Sequence, residues 1–260
     1  MEKTLELPVL LDLIDERSAA FRAAVMSAAG LDLRVPSCPE WTLLDLVRHL
    51  GEVHRFWVAA VNAGPAAAPP AESTSEGAET APEEREALLA WSAASTRQLL
   101  DALREAGPDR GCWTWWGPSQ SPQVSGAVAR HQLLEAAVHT YDAQLTAGAP
   151  QPLPEEAALD GVDEFLSTCV AWKQPWPHEA AAVDFHVTEG RSWRLSVSAD
   201  GARVADLPTT GAIPATASVR GTANEMVLFL YDRIPADSLQ LEGERRLFDQ
   251  LRAWDLDEDE

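Results

Sequence analysis

Three features of the sequence predict α plus α+β: an antiparallel four-helix bundle followed by a small α+β domain. The first half carries long stretches with apolar residues at helical spacing. A Pro-rich stretch, Gly148–Pro154, then interrupts the chain, and beyond it short runs alternate apolar and polar residues around tight turns. The domain boundary is therefore expected near residue 150, with 1–150 forming the bundle and 151–260 the α+β domain. The 260 residues suffice for two domains of ordinary size.

The first helix is expected over residues 7–29, where Leu10, Leu13, Ile14, Phe21, Val25 and Met26 sit near helical spacing. Pro36 and Pro39 then break the chain. Thr42, with Asp45 three residues later, resembles a capping box, and Leu43, Leu46, Val47, Leu50, Val53, Trp57 and Val61 continue one apolar stripe. This predicts a second helix of about five turns. Residues 62–85 carry Ala, Pro, Gly, Ser and Glu with almost no large apolar side chains, the composition of a long mobile loop. Leu88, Leu89, Trp91, Leu99, Leu100 and Leu103 predict a third helix over 86–105. A fourth, over 125–147, follows the Trp-rich loop Cys112–Gln123. Four such helices with polar outer faces form a bundle.

After Pro154, residues 155–172 have a helical pattern. Val183–Glu189 and Trp193–Ser198 alternate around a Glu-Gly-Arg-Ser turn and predict a β-hairpin. The turn Ala199-Asp200-Gly201 leads into another strand. Ala215–Arg220 predicts a fourth, followed by a helix capped by Thr222 and Glu225 and running through Met226, Phe229 and Leu230. Leu239–Leu241 and a last helix near 244–254 complete the domain ahead of the acidic tail Asp255–Glu260.

Twenty Lys and Arg against 41 Asp and Glu leave a net charge of −21. Such a surface repels phosphate backbones and anionic lipid, so neither nucleic acid nor a membrane is an expected partner. No run approaches the roughly 18–20 apolar residues of a membrane span, and the acidic N-terminus is unlike a signal peptide. A soluble cytoplasmic protein, monomer or homodimer, is expected. Cys38, Cys112 and Cys169 lie far apart and odd in number, making neither a disulfide framework nor a Cys-x-x-Cys metal site.

The most specific chemistry lies in the fourth helix. With Glu135 as the origin of a helical wheel, His131 falls near −40°, Asp142 near −20° and His139 near +40°, at about 100° per residue. Glu135 and His139, four apart, can converge on one ion such as zinc, while Asp142 can accept the other N–H of His139 and fix its tautomer. The same spacing also occurs as a solvated ion pair on ordinary helices. A third ligand must come from another helix, and the second helix offers His49 at the edge of its apolar stripe and His54 near its middle. A histidine among apolar residues is commonly a core residue with one satisfied hydrogen bond. Helical geometry leaves the choice open.

Val35-Pro-Ser-Cys-Pro-Glu-Trp-Thr-Leu-Leu-Asp-Leu-Val-Arg-His-Leu-Gly-Glu-Val-His54, followed by Glu135-x3-His139-x2-Asp142, resembles the N-terminal domain of the mycothiol-dependent maleylpyruvate isomerase family. The resemblance implies a DinB-like bundle holding a divalent metal, usually zinc, through His49, Glu135 and His139. His54 and His131 remain alternates, and His131 stands where a basic residue is more usual. The second half resembles that family's sterol-carrier-like domain, with Gly221-Thr-Ala ahead of an apolar helix ending in Arg233. The implied cosubstrate is mycothiol, a low-molecular-weight thiol, acting on a small electrophile. Isomerisation of maleylpyruvate-like compounds, S-transfer to another electrophile, or a non-catalytic metal-binding interaction module are the functions this allows.

Acidic substrates would need cations, which are scarce here. Arg220 and Arg233 are the first candidates and Arg48 and Arg55 the next, although arginines at helix ends commonly serve the last carbonyls. Trp113, Trp115 and Trp116 could wall a pocket or fill a core. The cysteines lack neighbours that would activate them, apart from Arg110 near Cys112.

Overall fold

The computed structural model describes residues 4–70, 81–172, 174–207 and 215–254. Residues 71–80 of the expected mobile loop, and the acidic tail from Asp255, lie outside the described residues. The chain divides into two compact units, Met1–Gly117 with Pro122–Asp160, and Pro118–Ser121 with Gly161–Glu260.

In the first unit, α1 (Leu7–Ser27), α2 (Leu43–Ala63), α3 (Arg85–Ala106) and α4 (Ser125–Thr146) pack together, α1 against α3 and α4, and α2 against the same pair. The predicted capping box starts α2. The Thr42 hydroxyl accepts from the Asp45 amide at 3.3 Å, and the Asp45 carboxylate accepts from the Thr42 amide at 2.9 Å. The Thr42 hydroxyl, donating to the same carboxylate at 2.6 Å, and the Thr42 amide hold the Asp45 carboxyl below its usual pKa.

Ahead of α2 the prolines do more than interrupt the chain. Arg34–Val35 (β1) pairs antiparallel with Cys38–Thr42 (β2), an irregular hairpin that sequence periodicity did not reveal. Backbone bonds from Leu43 N to Leu33 O and from Leu44 N to Leu31 O tie the first turn of α2 to the segment before the hairpin. Val35, fully buried, anchors the hairpin in the core.

The core of this unit is two apolar clusters. One gathers Phe21, Val25, Val35, Leu46, Leu50 and Leu88; the other gathers Leu10, Ile14, Trp57, Leu99, Leu103 and Leu133. Along each helix the clusters are separated by buried polar residues: Ser18 on α1, His54 on α2, Ser95 and Thr96 on α3, His139 and Thr140 on α4. Burying polar groups costs free energy unless they find partners, and several do so locally. Thr140 donates to Ala136 O, and Thr96 donates to Ser92 O while accepting from Arg22.

Gly51 sets the spacing of α2 and α3. A Cβ there would lie 2.0 Å from the Trp91 ring, and Trp91 is itself buried and overlaid by the Arg55 guanidinium at 4.8 Å. Gly51→Ala should therefore destabilise the protein by about 1–3 kcal/mol, the usual cost of overpacking, despite the better helix propensity of alanine. Chemical denaturation would check this, and an unchanged midpoint would mean that the indole moves aside freely.

The second unit is mixed. α5 (Glu155–Phe165), whose residues through Asp160 belong to the first unit, runs into a five-residue π-helical stretch, Leu166–Val170, where the sequence pattern had suggested one continuous helix. Five strands follow: β3 (Ala181–Val187), β4 (Ser192–Ser198), β5 (Gly201–Asp206), β6 (Ala217–Gly221) and β7 (Gln240–Gly243). Their order is β5-β4-β3-β6-β7, with β3 and β6 parallel and the other pairs antiparallel. The alternation read from sequence places Phe185 opposite Trp193 and Val183 opposite Leu195, all buried on one face. On the other face Asp184 accepts two hydrogen bonds from Arg194, at 2.6 and 2.7 Å. α6 (Ala223–Leu230) begins at the Thr222/Glu225 capping box, and Glu189 adds a second carboxylate that accepts from the Ala223 amide. A 3-10 turn at Ala236–Ser238 and α7 (Arg246–Ala253) complete the described part of this unit. No helix among the described residues is long and apolar enough to cross a membrane.

Candidate metal centre

The polar layer of the bundle brings three donor groups together. His49 comes from α2, Glu135 and His139 from α4, and one ligand atom of each lies within 4.8 Å of the others. Glu135 Oε2 stands 3.3 Å from His139 Nε2 and 3.8 Å from His49 Nε2. It is buried, and neither approach has hydrogen-bond geometry, so it has no hydrogen-bond partner. An orphaned carboxylate oxygen facing two imidazole nitrogens is the arrangement a divalent cation would complete.

Asp142 decides which nitrogen His139 presents. Its carboxylate is fully buried; Oδ2 lies 2.9 Å from His139 Nδ1, and Oδ1 accepts from the Ser37 hydroxyl at 2.5 Å. A carboxylate accepts, so Nδ1 carries the proton and donates, leaving Nε2 directed at Glu135. Ser37 lies in the turn of the β1–β2 hairpin, and the same hairpin delivers Trp41, whose ring centroid is 4.6 Å from that of His49 and 6.1 Å from that of His139. The sequence carries Ser37 and Trp41 within the motif that bears the family resemblance, but gave neither a role of its own. The position of Trp41 immediately before the Thr42 cap was the available signal.

Electrostatics pulls this cluster in two directions. Burial pushes His139 down, but its hydrogen bond to Asp142 and the Glu135 carboxylate beside it outweigh burial and raise its pKa to about 9. Burial pushes Glu135 up, yet the histidines beside it, His139 first, hold its carboxyl well below the usual range. Without metal, the cluster is a carboxylate shared by a protonated His139.

The other histidines lie elsewhere. His54 is buried, with Nδ1 3.4 Å from the Thr96 hydroxyl, and burial lowers its pKa to about 4. His131 packs against Trp116, Trp115 and Trp57, with ring centroids 5.2, 5.5 and 6.2 Å away. Among the described residues, only His49, Glu135 and His139 form a group of potential metal ligands. The tryptophans of the loop divide: Trp116 is fully buried, Trp113 half-buried and Trp115 38% exposed. Burial pushes the Cys112 thiol up to about 11, the opposite of activation.

Among the candidate cations, Arg55 donates to Ser95 at 2.8 Å, and Arg48 lies 3.5 Å from Glu83. In the second unit, Arg220 is exposed on β6, in register with His186 and Gln240, and Arg233 donates to Tyr231 O at 2.6 Å.

Residues 11–144 match the mycothiol maleylpyruvate isomerase N-terminal domain, and residues 156–250 match the C-terminal domain of the same family. The chain belongs to this family. Among solved structures, the mycothiol-dependent maleylpyruvate isomerase superposes with a TM-score of 0.58 at 15% identity, covering 92% of this chain and 95% of that one. A histidine-to-alanine variant of a mycothiol-dependent maleylpyruvate isomerase gives 0.59 with the same identity and coverage. At this identity the likeness establishes the shared fold. No curated protein sequence matches the chain.

Proposed function

We propose that the chain is a zinc-dependent enzyme that activates a low-molecular-weight thiol, mycothiol, for attack on a small electrophile, as in the cis-trans isomerisation of maleylpyruvate-like compounds. The observation that supports this most is the convergence of His49, Glu135 and His139 on one point, with the Glu135 oxygen buried and unpartnered. Three protein ligands are the number typical of catalytic rather than closed structural zinc sites. When bound, the ion supplies Lewis acidity that lowers the pKa of a thiol to near neutrality.

The chain's own residues arrange the rest. Asp142 keeps the Nδ1 proton on His139, and Ser37 keeps Asp142 in place. Trp41 covers one side of both imidazoles and limits access of water. In this reading the 1–150 domain holds the metal. In the reaction, sulfur bonds to one carbon of the conjugated cis alkene and the former double bond becomes a rotatable single bond. After rotation the carbon–sulfur bond breaks, restoring the alkene as trans and releasing the thiol unchanged.

Asp142→Asn tests the positioning role. The amide can present a donor where His139 needs an acceptor, so metal affinity should fall about 10–100-fold while the fold survives. A chelator competition titration measures it, and an unchanged dissociation constant would remove Asp142 from the site.

The function itself is tested with metal-loaded protein, maleylpyruvate and mycothiol. Turnover should require both thiol and metal, stop on chelation, return with zinc, and survive joint replacement of Cys38, Cys112 and Cys169 by Ser. Free thiol regenerated with a trans product supports isomerisation. Stoichiometric thiol consumption with a thioether product on other electrophiles would indicate an S-transferase. Metal-dependent turnover without thiol would overturn the proposal, and metal binding with no turnover across an electrophile panel would leave an interaction module.

A further inference from the structure

The two histidines of the candidate metal centre are held by different means. His139 is fixed by a hydrogen bond from Nδ1–H to Asp142, which Ser37 of the β1–β2 hairpin holds in turn. His49 has no such support: among the described residues no hydrogen bond reaches its ring, and Glu135 Oε2 stands 3.8 Å from its Nε2. Its side chain is 32% exposed, so solvent leaves part of the ring unconfined. A ligand free to change rotamer must be immobilised when the ion arrives, and that ordering lowers affinity.

What His49 has instead is two rings. The Trp41 ring centroid lies 4.6 Å from its own, tilted by 45°, and His139 meets it edge-on at 5.1 Å and 84°. Trp41 is a firm support. It sits in β2, immediately before the Thr42 cap of α2, and its half-buried indole packs against the cluster that contains Val35 and Leu46. The capping box and the bond from Leu43 N to Leu33 O fix hairpin and helix to each other. Strand, cap and the first two turns of α2 therefore set the separation of Trp41 from His49.

We propose that Trp41 is the positioning residue for His49: its ring restricts the imidazole to the orientation that turns Nε2 toward Glu135. Packing then does for His49 what the Asp142 hydrogen bond does for His139. Both imidazoles are set from one hairpin, through Ser37 and Asp142 on one side and through Trp41 directly on the other. The expected effect on metal affinity rests on the metal-centre reading, whereas the orientation of His49 can be observed in the metal-free protein.

Histidine-labelled full chain, with the His49 resonances assigned by their absence from His49→Ala, tests the orientation without metal. The nuclear Overhauser contact between the His49 and His139 rings should be present in the wild type and in Trp41→Phe, and lost in Trp41→Ala. Chelator competition with zinc tests the consequence. Trp41→Ala should weaken binding about 3–10-fold, the scale of one aromatic contact, and Trp41→Phe should restore most of it. The Trp41→Ala factor should be the same in an Asp142→Asn background, because the two residues act on different ligands. A ring contact that survives in Trp41→Ala, equal losses in the Ala and Phe variants, or a Trp41 effect that vanishes beside Asp142→Asn would overturn the proposal. A wild type that binds no zinc would overturn the metal-centre reading alone, with the ring contact still deciding the role of Trp41.

Discussion

Replacing Glu135 or His139 by Ala should reduce the metal content of the purified protein to background, a larger loss than the about 10–100-fold expected when only a ligand's supporting partner is changed. Both residues sit on α4 with their ligand atoms directed at the same point, and the remaining pair would span two helices with no carboxylate or with a single imidazole. His49→Ala should behave alike. His54→Ala and His131→Ala are the informative controls, since one histidine lies against Thr96 and the other among tryptophans. Elemental analysis of the five variants decides the matter. Full occupancy in His139→Ala would remove the proposed ligand set, and loss confined to His54→Ala would move the site deeper into the bundle.

Metal affinity should also rise steeply with pH, by about tenfold per unit below pH 9, because the ion competes with a proton for His139. In the metal-free protein that proton is held by Asp142 and Glu135 against the effect of burial, with a pKa of about 9. The sign of the stability contribution follows from the same shift. The proton stabilises the metal-free bundle fully below the ordinary histidine pKa near 6.5, and this contribution is lost as pH rises through about 9. Chelator competition between pH 6 and 8 measures the slope. A flat profile would show that His139 Nε2 carries no proton that metal must displace.

Much of the bundle was legible because its helices obey one period over long runs. Thr42 with Asp45, and Thr222 with Glu225, marked helix starts that the structure confirms to the residue. Glu135, His139 and Asp142 could be read together because they share a single helix, where spacing fixes geometry. His49 could not be chosen over His54 from the wheel, where one lies at the edge of the apolar stripe and the other near its middle; tertiary packing separates them, sending His54 toward Thr96. The β1–β2 hairpin escaped notice because its two-residue first strand is too short for alternation to register, and two prolines masked it. The roles of Ser37 and Trp41, both within the quoted motif, were therefore not assigned. The parallel pairing of β3 with β6 is likewise a long-range choice that local alternation does not encode.

The hydrogen bond from Ser37 to Asp142 joins positions 105 residues apart. Glu135, His139 and Asp142 lie on α4, the last of the four bundle helices, so the segment that carries His49 is made before the carboxylate that faces it. Closing so long a loop adds little entropic cost beyond that of a shorter one, but it postpones the contact until α4 exists. An ion held as proposed above would need α4 in place, because the segment through α3 supplies His49 alone of the three donors.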